Sequence, residues 1–312
     1  MNKKRVLTVV IALLLLAALL QIDRESLFYS ISRVPFWLVA LMLALQVVTQ
    51  LLVNLQWYKI AKIVGIPILY RDILYVNSQG SIIDSITPGV KFGGEVTRAM
   101  QISRIADCST KQSAALVAVQ KLFSLSAMFF VLLFTVGYLQ FWVYGVLLVF
   151  LLLFIVILFA PKTLRFLWIS KAKGFILVFL SQVESLRKNK AACVMLFLLS
   201  LFIWLLYPAK MYILVTQFYP LADVMQVTAI TFAAYTVAML PIFPGGLGGF
   251  EGTMYSLLMT MGMVASDAVV VTVFFRFVTF WFVMLVGLGY QFILFVIALI
   301  KNGSLRSSIK IL

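Results

Sequence analysis

Histidine is absent from this sequence, and cysteine occurs only twice, at Cys108 and Cys193. These counts exclude a Cys/His zinc site and any catalytic mechanism that depends on a histidine base. The sequence therefore predicts neither a metal site nor a cofactor. A disulfide is not expected either, because Cys108 lies in a segment that we predict to be cytoplasmic, where thiols stay reduced.

Charged residues are also scarce. They make up 11% of the 312 residues, against about 25% in a typical soluble protein, whereas 64% are hydrophobic. Apolar runs of about 18 residues or more recur along the whole chain, a pattern typical of polytopic helical membrane proteins. The net charge is +15, but most basic residues lie in short segments between apolar runs. No basic patch is interleaved with aromatic residues, so binding to nucleic acid is not predicted.

The apolar pattern predicts an all-α polytopic membrane protein that forms a single transmembrane domain over residues 1–312. It contains about six full spans and two re-entrant helical hairpins, hence at least eight helical segments. The predicted spans are about 6–22, 35–53, 114–136, 141–160, 191–215 and 268–298. Basic residues concentrate at both ends of the chain and in 54–71, 98–111 and 161–190. By the positive-inside rule, both termini are cytoplasmic.

The two predicted hairpins are less regular than the spans. Segment 72–97 is more polar than a lipid-facing span and has basic flanks on both sides, so we expect it to enter and leave from the cytoplasm. Segment 225–263 is expected to enter from outside, although its part 225–243 is also long enough to cross the membrane completely.

Two stretches rich in glycine and proline match each other in spacing. Pro88 is followed by the pair Gly93-Gly94 and by Glu95, and 156 residues later Pro244 is followed by Gly248-Gly249 and Glu251. Glycine and proline interrupt helices, and broken backbone at membrane depth survives only where it is buried or lines a cavity. We therefore predict two re-entrant loops. Their residues are Pro88, Gly93, Gly94, Pro244, Gly245, Gly248 and Gly249.

The offset of 156 residues also relates 35–136 to 191–292. We interpret these segments as repeat halves of opposite orientation, an arrangement found in many secondary transporters with the site at the repeat interface.

Five charged residues within or beside apolar segments are candidates for a substrate path: Glu95, Arg98, Lys121, Glu251 and Arg276. Because an unpaired charge inside the membrane is costly, we expect Glu95 to pair with Lys121 and Glu251 with Arg276. Alternatives remain open, since the two acids could only cap helices and the pairs could be purely structural. Arg98 could reach a lipid phosphate or extend to the membrane surface. Asn54 and Trp57 are interpreted as interface anchors.

These motifs are similar to those of the lysylphosphatidylglycerol synthase/flippase transmembrane family. The matching residues are Asn54-Leu55-Gln56-Trp57, Pro88 with Gly93 to Arg98, Gln120-Lys121, Leu240-Pro241 with Gly248 to Glu251, and Arg276. The resemblance implies a lipid-translocating domain in a bacterial or archaeal cytoplasmic membrane that handles anionic or modified headgroups. Where this chain has Gln120-Lys121, the family usually has an acid followed by an arginine. The aminoacyl-transferase domain of the two-part enzymes is missing, so synthesis of the aminoacyl lipid is not expected.

The resulting functional hypothesis is a flippase-like transporter that moves a phospholipid or a polyprenyl-phosphate-linked lipid between leaflets. One alternative is a non-transporting accessory protein that supports a separate enzyme of lipid or surface-polysaccharide synthesis. A glycosyltransferase-like enzyme is a weaker alternative, because the sequence offers no paired external carboxylates. No catalytic residues are predicted, and the expected partners are membrane lipids and such a synthesis enzyme.

Overall fold

The computed structural model describes residues 24–87, 92–135, 137, 162–239 and 246–302. Every extended regular element in this part of the chain is helical. In chain order the helices are α1 (Arg24–Ser32), α2 (Phe36–Ile63), α3 (Tyr70–Ile86), α4 (Phe92–Ile105), α5 (Thr110–Thr135), α6 (Lys162–Lys188), α7 (Lys190–Thr216), α8 (Val224–Ala238), α9 (Gly249–Thr260), α10 (Ala265–Arg276), a π-helical turn (Phe277–Trp281) and α11 (Phe282–Asn302).

Within the described residues, four helical segments are long and apolar enough to cross a membrane: α2, α5, α7 and the continuous run Ala265–Ile300. They correspond to the predicted spans 35–53, 114–136, 191–215 and 268–298. The prediction of a multi-pass, all-helical membrane protein is confirmed at this level. Predicted spans 6–22 and 141–160 lie outside the described residues, so the count of six spans stays a prediction.

Two boundaries differ from those expected. Helix α2 continues to Ile63, so Asn54 and Trp57 lie inside a helix and are buried. Their interpretation as interface anchors was therefore wrong. The basic segment 161–190 is also mostly helical, as α6. Its lysines and arginines are good helix formers, so a basic composition does not prevent a helix.

Glycines allow α3 and α4 to approach closely. The two helices pack against each other, as do α8 and α9. A Cβ atom on Gly94 would lie 2.2 Å from Asp84 Oδ1 and 2.4 Å from the carbonyl oxygen of Gly80. Of the predicted loop residues, Pro88, Pro244 and Gly245 lie outside the described residues. Re-entry of either helix pair stays a prediction.

The buried apolar side chains form two clusters. One is centred on α7 to α10, with Phe232, Phe250 and Phe275 among its largest members. The other joins the end of α2 to α3, α4 and α5 through residues such as Trp57 and Ile102. The polar side chains of the candidate site lie between helices that contribute residues to these two clusters.

Candidate functional site

A polar cavity of about 170 Å³ lies between α2, α3, α4, α5, α7, the π-helical turn and the start of α11. Its charged lining residues are Asp84, Glu95, Arg98 and Lys121. Three of the five predicted substrate-path residues therefore line one cavity. Four charged side chains therefore meet around this cavity, although most of the surrounding helices are apolar.

The charges around the cavity form a connected network. Lys121 Nζ lies 2.7 Å from Glu95 Oε1, as the sequence predicted. Arg98 Nη1 lies 3.2 Å from the same Glu95 oxygen and 3.0 Å from Asp84 Oδ2. The side chain of Arg98 is only 10% exposed, whereas that of Lys121 is 40% exposed. Arg98 thus does not extend to the membrane surface, and Lys121 is the more accessible cation.

Asp84 and Asn77 belong to this network although the sequence analysis gave them no role. Asp84 Oδ1 accepts a hydrogen bond from the backbone N–H of Gly94 at 3.1 Å. Asn77 accepts from Arg98 Nε at 3.1 Å and donates to Asn54 Oδ1 at 2.9 Å. The available signal was helical spacing, since residues 77, 81 and 84 fall on one face of a helix. Asn77, Ser81 and Asp84 all line the cavity.

The second predicted pair also forms. Arg276 Nε lies 3.0 Å from Glu251 Oε1. The other carboxylate oxygen, Oε2, accepts a hydrogen bond of 2.7 Å from the backbone N–H of Gly248 at the start of α9. Glu251 therefore caps α9 and pairs with a cation at the same time, so capping is not its only contact.

Aromatic rings cover this second pair. The guanidinium carbon of Arg276 lies 4.8 Å from the ring centre of Phe250 and 4.1 Å from that of Phe280, within the range of cation–π attraction. Phe280 lines the cavity, whereas Glu251 and Arg276 are not among its described lining residues. The structure thus forms both predicted pairs but opens only the first to the cavity. Phe280 lies on a π-helical turn, a feature frequent at functional sites.

Two further buried polar side chains, one on α5 and one on α7, connect these helices to α2. Gln120 Nε2 donates to Gln56 Oε1 at 3.2 Å, so this departure from the family motif provides a neutral link between α5 and α2. Lys210 on α7 is fully buried. It donates to Gln46 Oε1 and, at 3.1 Å, to Thr49 Oγ1. No partner of Lys210 could be predicted from the sequence, because these contacts depend on the packing of α7 against α2.

Comparisons with known proteins find similar membrane proteins. The chain is 22% identical over 326 aligned positions to a UPF0104 membrane protein of Methanothermobacter thermautotrophicus, covering 93% of this chain and 95% of that protein. It is 23% identical to a UPF0104 membrane protein of Methanocaldococcus jannaschii, covering 89% and 91% respectively.

A family model described as the lysylphosphatidylglycerol synthase TM region matches residues 5–287. This range includes all five predicted substrate-path residues and the cavity. The chain therefore belongs to the family of lysylphosphatidylglycerol synthase transmembrane regions.

Proposed function

We propose that the protein moves a phosphate-bearing lipid, either a phospholipid or a polyprenyl-phosphate-linked lipid, between the two leaflets of a membrane. The observation that carries this proposal is the cavity lined by Asp84, Glu95, Arg98 and Lys121. Ionisable groups inside a membrane protein are costly to keep, and they commonly mark the path of a polar substrate. A polar cavity lets a headgroup leave water without entering hydrocarbon.

The cavity suits a headgroup because it presents both signs of charge. Lys121, the more accessible cation, would bind the phosphate, and the carboxylates of Asp84 and Glu95 would attract an ammonium group on a modified headgroup. Gln120 also lines the cavity, and its buried Oε1 has no hydrogen-bond partner among the described atoms. A hydroxyl or amine of the headgroup would satisfy this oxygen.

The helix boundaries support two repeat halves. Adding 156 to the number of the first residue of α2, α3, α4 or α5 gives a position within two residues of the start of α7, α8, α9 or α10, respectively. The two acid–base pairs occupy related places in these halves. One pair faces the cavity and the other is covered by Phe280. If the two pairs exchanged these states, the binding site would open first to one side of the membrane and then to the other.

We further propose that the protein lies in the cytoplasmic membrane with both ends of the chain on the cytoplasmic side. A separate enzyme would supply or use the lipid there. We assign it no enzymatic reaction of its own. An accessory role without transport is the outcome to expect if no lipid is moved.

Reconstitution into liposomes tests the proposal. Fluorescent phosphatidylglycerol and a fluorescent polyprenyl phosphate are followed by a membrane-impermeant quencher, with protein-free liposomes as the baseline. We expect translocation of one of these lipids above the baseline. Replacing Lys121 by Met is expected to slow translocation by about tenfold or more, since a charged contact to phosphate is lost, whereas Lys121→Arg keeps the charge and most of the rate.

The matched control is Lys111→Met, which removes an exposed lysine from the same helix. It is expected to leave the rate unchanged. Equal rates with and without protein for both lipids would exclude transport of these substrates and favour the accessory role. Unchanged rates in Lys121→Met would exclude this cavity as the path.

A further inference from the structure

An apolar groove lies directly beside the polar cavity. It has a volume of about 260 Å³ and is lined by residues of α2, α3 and α11, among them Leu51, Leu74 and Val286. The groove and the cavity share four lining residues: Gln50, Asn77, Ser81 and Val283. Three of these are polar and uncharged, so the polarity of the lining decreases gradually from the charged cavity to the apolar groove.

The wall of the groove that α11 forms is held in place by contacts between α11 and α3. Gln291 Nε2 donates to the carbonyl oxygen of Tyr75 at 3.1 Å and also to Ser78 Oγ. Gly287 lies so close to α3 that a Cβ atom would approach the carbonyl oxygen of Ser78 to 3.3 Å. This close packing on α3 leaves the groove between α11 and α2 as a depression on an apolar surface.

We propose that the groove binds a hydrocarbon chain of the same lipid whose phosphate headgroup occupies the cavity. The proposal rests on the proposed function and narrows it, because the substrate must then be an amphiphile bound at two adjacent sites. A water-soluble phosphate would fill only the cavity. Gln50, Asn77, Ser81 and Val283 would contact the junction between headgroup and chain.

The physical basis is the match in polarity between the two parts of the site and the two parts of a lipid. Burial of hydrocarbon is favourable in proportion to the apolar area removed from water, and the groove offers aliphatic walls for this purpose. The charged cavity excludes hydrocarbon, because its ionised groups would lose their polar contacts. A lipid lying across the boundary satisfies both requirements, and its chain need not cross the polar region with its headgroup.

The proposal is tested by photo-crosslinking in liposomes, with two probes that distinguish the sources of the phosphate. One probe is phosphatidylglycerol with a diazirine in one acyl chain, and the other is a polyprenyl phosphate with a diazirine in its chain. Crosslinked peptides are identified by mass spectrometry in the wild type and in Lys121→Met. We expect one probe to label α2 and α11 at groove residues, and Lys121→Met to lower this labelling by about tenfold.

Bulk lipid provides the internal control, since it labels every exposed apolar face independently of Lys121. Labelling at Leu285, which lies on α11 outside the groove, is expected to remain unchanged in Lys121→Met. If groove and Leu285 labelling respond alike, the groove holds only bulk lipid and the proposal is wrong.

Blocking the groove supplies a second measurement. Val286→Trp fills the groove, whereas Leu285→Trp adds the same side chain next to it at similar exposure (46% and 51%). We expect only Val286→Trp to slow translocation, by about tenfold. Leu51→Trp, compared with Val48→Trp, repeats this comparison on α2 in case the first variant fails to fold.

The two proposals fail in different ways. If both tryptophan variants of each pair translocate lipid at the wild-type rate, the groove is not part of the path, but the transport function stands. If groove labelling depends on Lys121 while no lipid is translocated, the two-part binding site stands and the transport function is wrong.

Discussion

Glu251 has two roles, and its amide analogue separates them. In Glu251→Gln the remaining side-chain oxygen can still accept the hydrogen bond from Gly248, so the cap at α9 is kept while the carboxylate near Arg276 is lost. Removing one partner of a buried ion pair typically costs about 3–5 kcal/mol. We expect a clearly lower unfolding temperature in detergent, followed by intrinsic tryptophan fluorescence.

The control for this variant is Glu25→Gln, which changes an exposed carboxylate on α1. We expect its unfolding temperature to match that of the wild type. An unfolding temperature of Glu251→Gln equal to that of Glu25→Gln would contradict the role assigned to the pair in stability.

Cys108 reports on the connection between α4 and α5. Burial raises the pKa of its thiol, and the neighbouring negative charge of Asp107 raises it further, against an opposing backbone hydrogen bond. The thiolate is the reactive form, so a raised pKa lowers the reactive fraction at neutral pH. In a Cys193→Ala background, maleimide labelling of Cys108 is expected to be slower than that of free cysteine at pH 7. The labelling rate should continue to rise at pH values where the rate for free cysteine has levelled off.

The reference for free cysteine is a cysteine in a short peptide blocked at both ends, labelled at each pH, which corrects for the reagent's own pH dependence. A rate profile of Cys108 that coincides with that of this peptide would show that Cys108 is not shielded.

For individual side chains, the sequence could predict those contacts in which both partners carry full charges. Glu95 with Lys121 and Glu251 with Arg276 could be paired because an unpaired charge in a membrane is costly. Asp84 and Asn77 could not be placed in the same network, because their contacts depend on how α3 docks against α4. Phe280 was likewise missed, since its position over Arg276 depends on the π-helical turn.

At the level of helices, two glycines are expected to respond oppositely to alanine. Gly94 lies where α4 meets α3, and an added Cβ would clash with Asp84 and with the backbone of Gly80. Overpacking of this kind typically costs about 1–3 kcal/mol. Gly252 lies inside α9, and among the described residues no atom beyond its chain neighbours and the adjoining helix backbone lies within 4 Å of an added Cβ. Alanine there is expected to stabilise the helix by about 0.5–1 kcal/mol.

The measurement is the unfolding temperature of Gly94→Ala and Gly252→Ala beside the wild type. Gly94→Ala is expected to unfold at a lower temperature and Gly252→Ala at the same or a slightly higher one. An equal decrease in the unfolding temperature of both variants would mean that helix packing does not distinguish the two glycines.

Apolar runs identified the spans but not the ends of the helices. Helix α2 continues past its apolar part to Ile63 because the following residues lack a helix breaker before Gly65. Hydropathy detects the part of a helix that faces lipid, whereas the helix itself ends where capping or glycine stops it. For the same reason α6 was missed, since its basic residues conceal a regular helix from a hydropathy scan.

For the chain as a whole, the central prediction is the opposite orientation of the two repeat halves. Helix α7 has 27 residues, which at about 1.5 Å per residue exceeds the roughly 30 Å hydrocarbon core of a membrane. Leu180 precedes it and Pro220 follows it, so cysteines at these positions must label from opposite sides. By the positive-inside rule, position 180 is cytoplasmic and position 220 is external.

The offset of 156 residues adds a third position, because it relates Val64, just after α2, to Pro220, just after α7. Single cysteines at 64, 180 and 220, in a background without Cys108 and Cys193, are labelled in intact cells with a membrane-impermeant maleimide and again after permeabilisation. Inverted halves require 220 to label in intact cells and both 64 and 180 only after permeabilisation. If 64 and 220 label from the same side, the halves are parallel, and access from the two sides cannot arise from exchange between related half-sites.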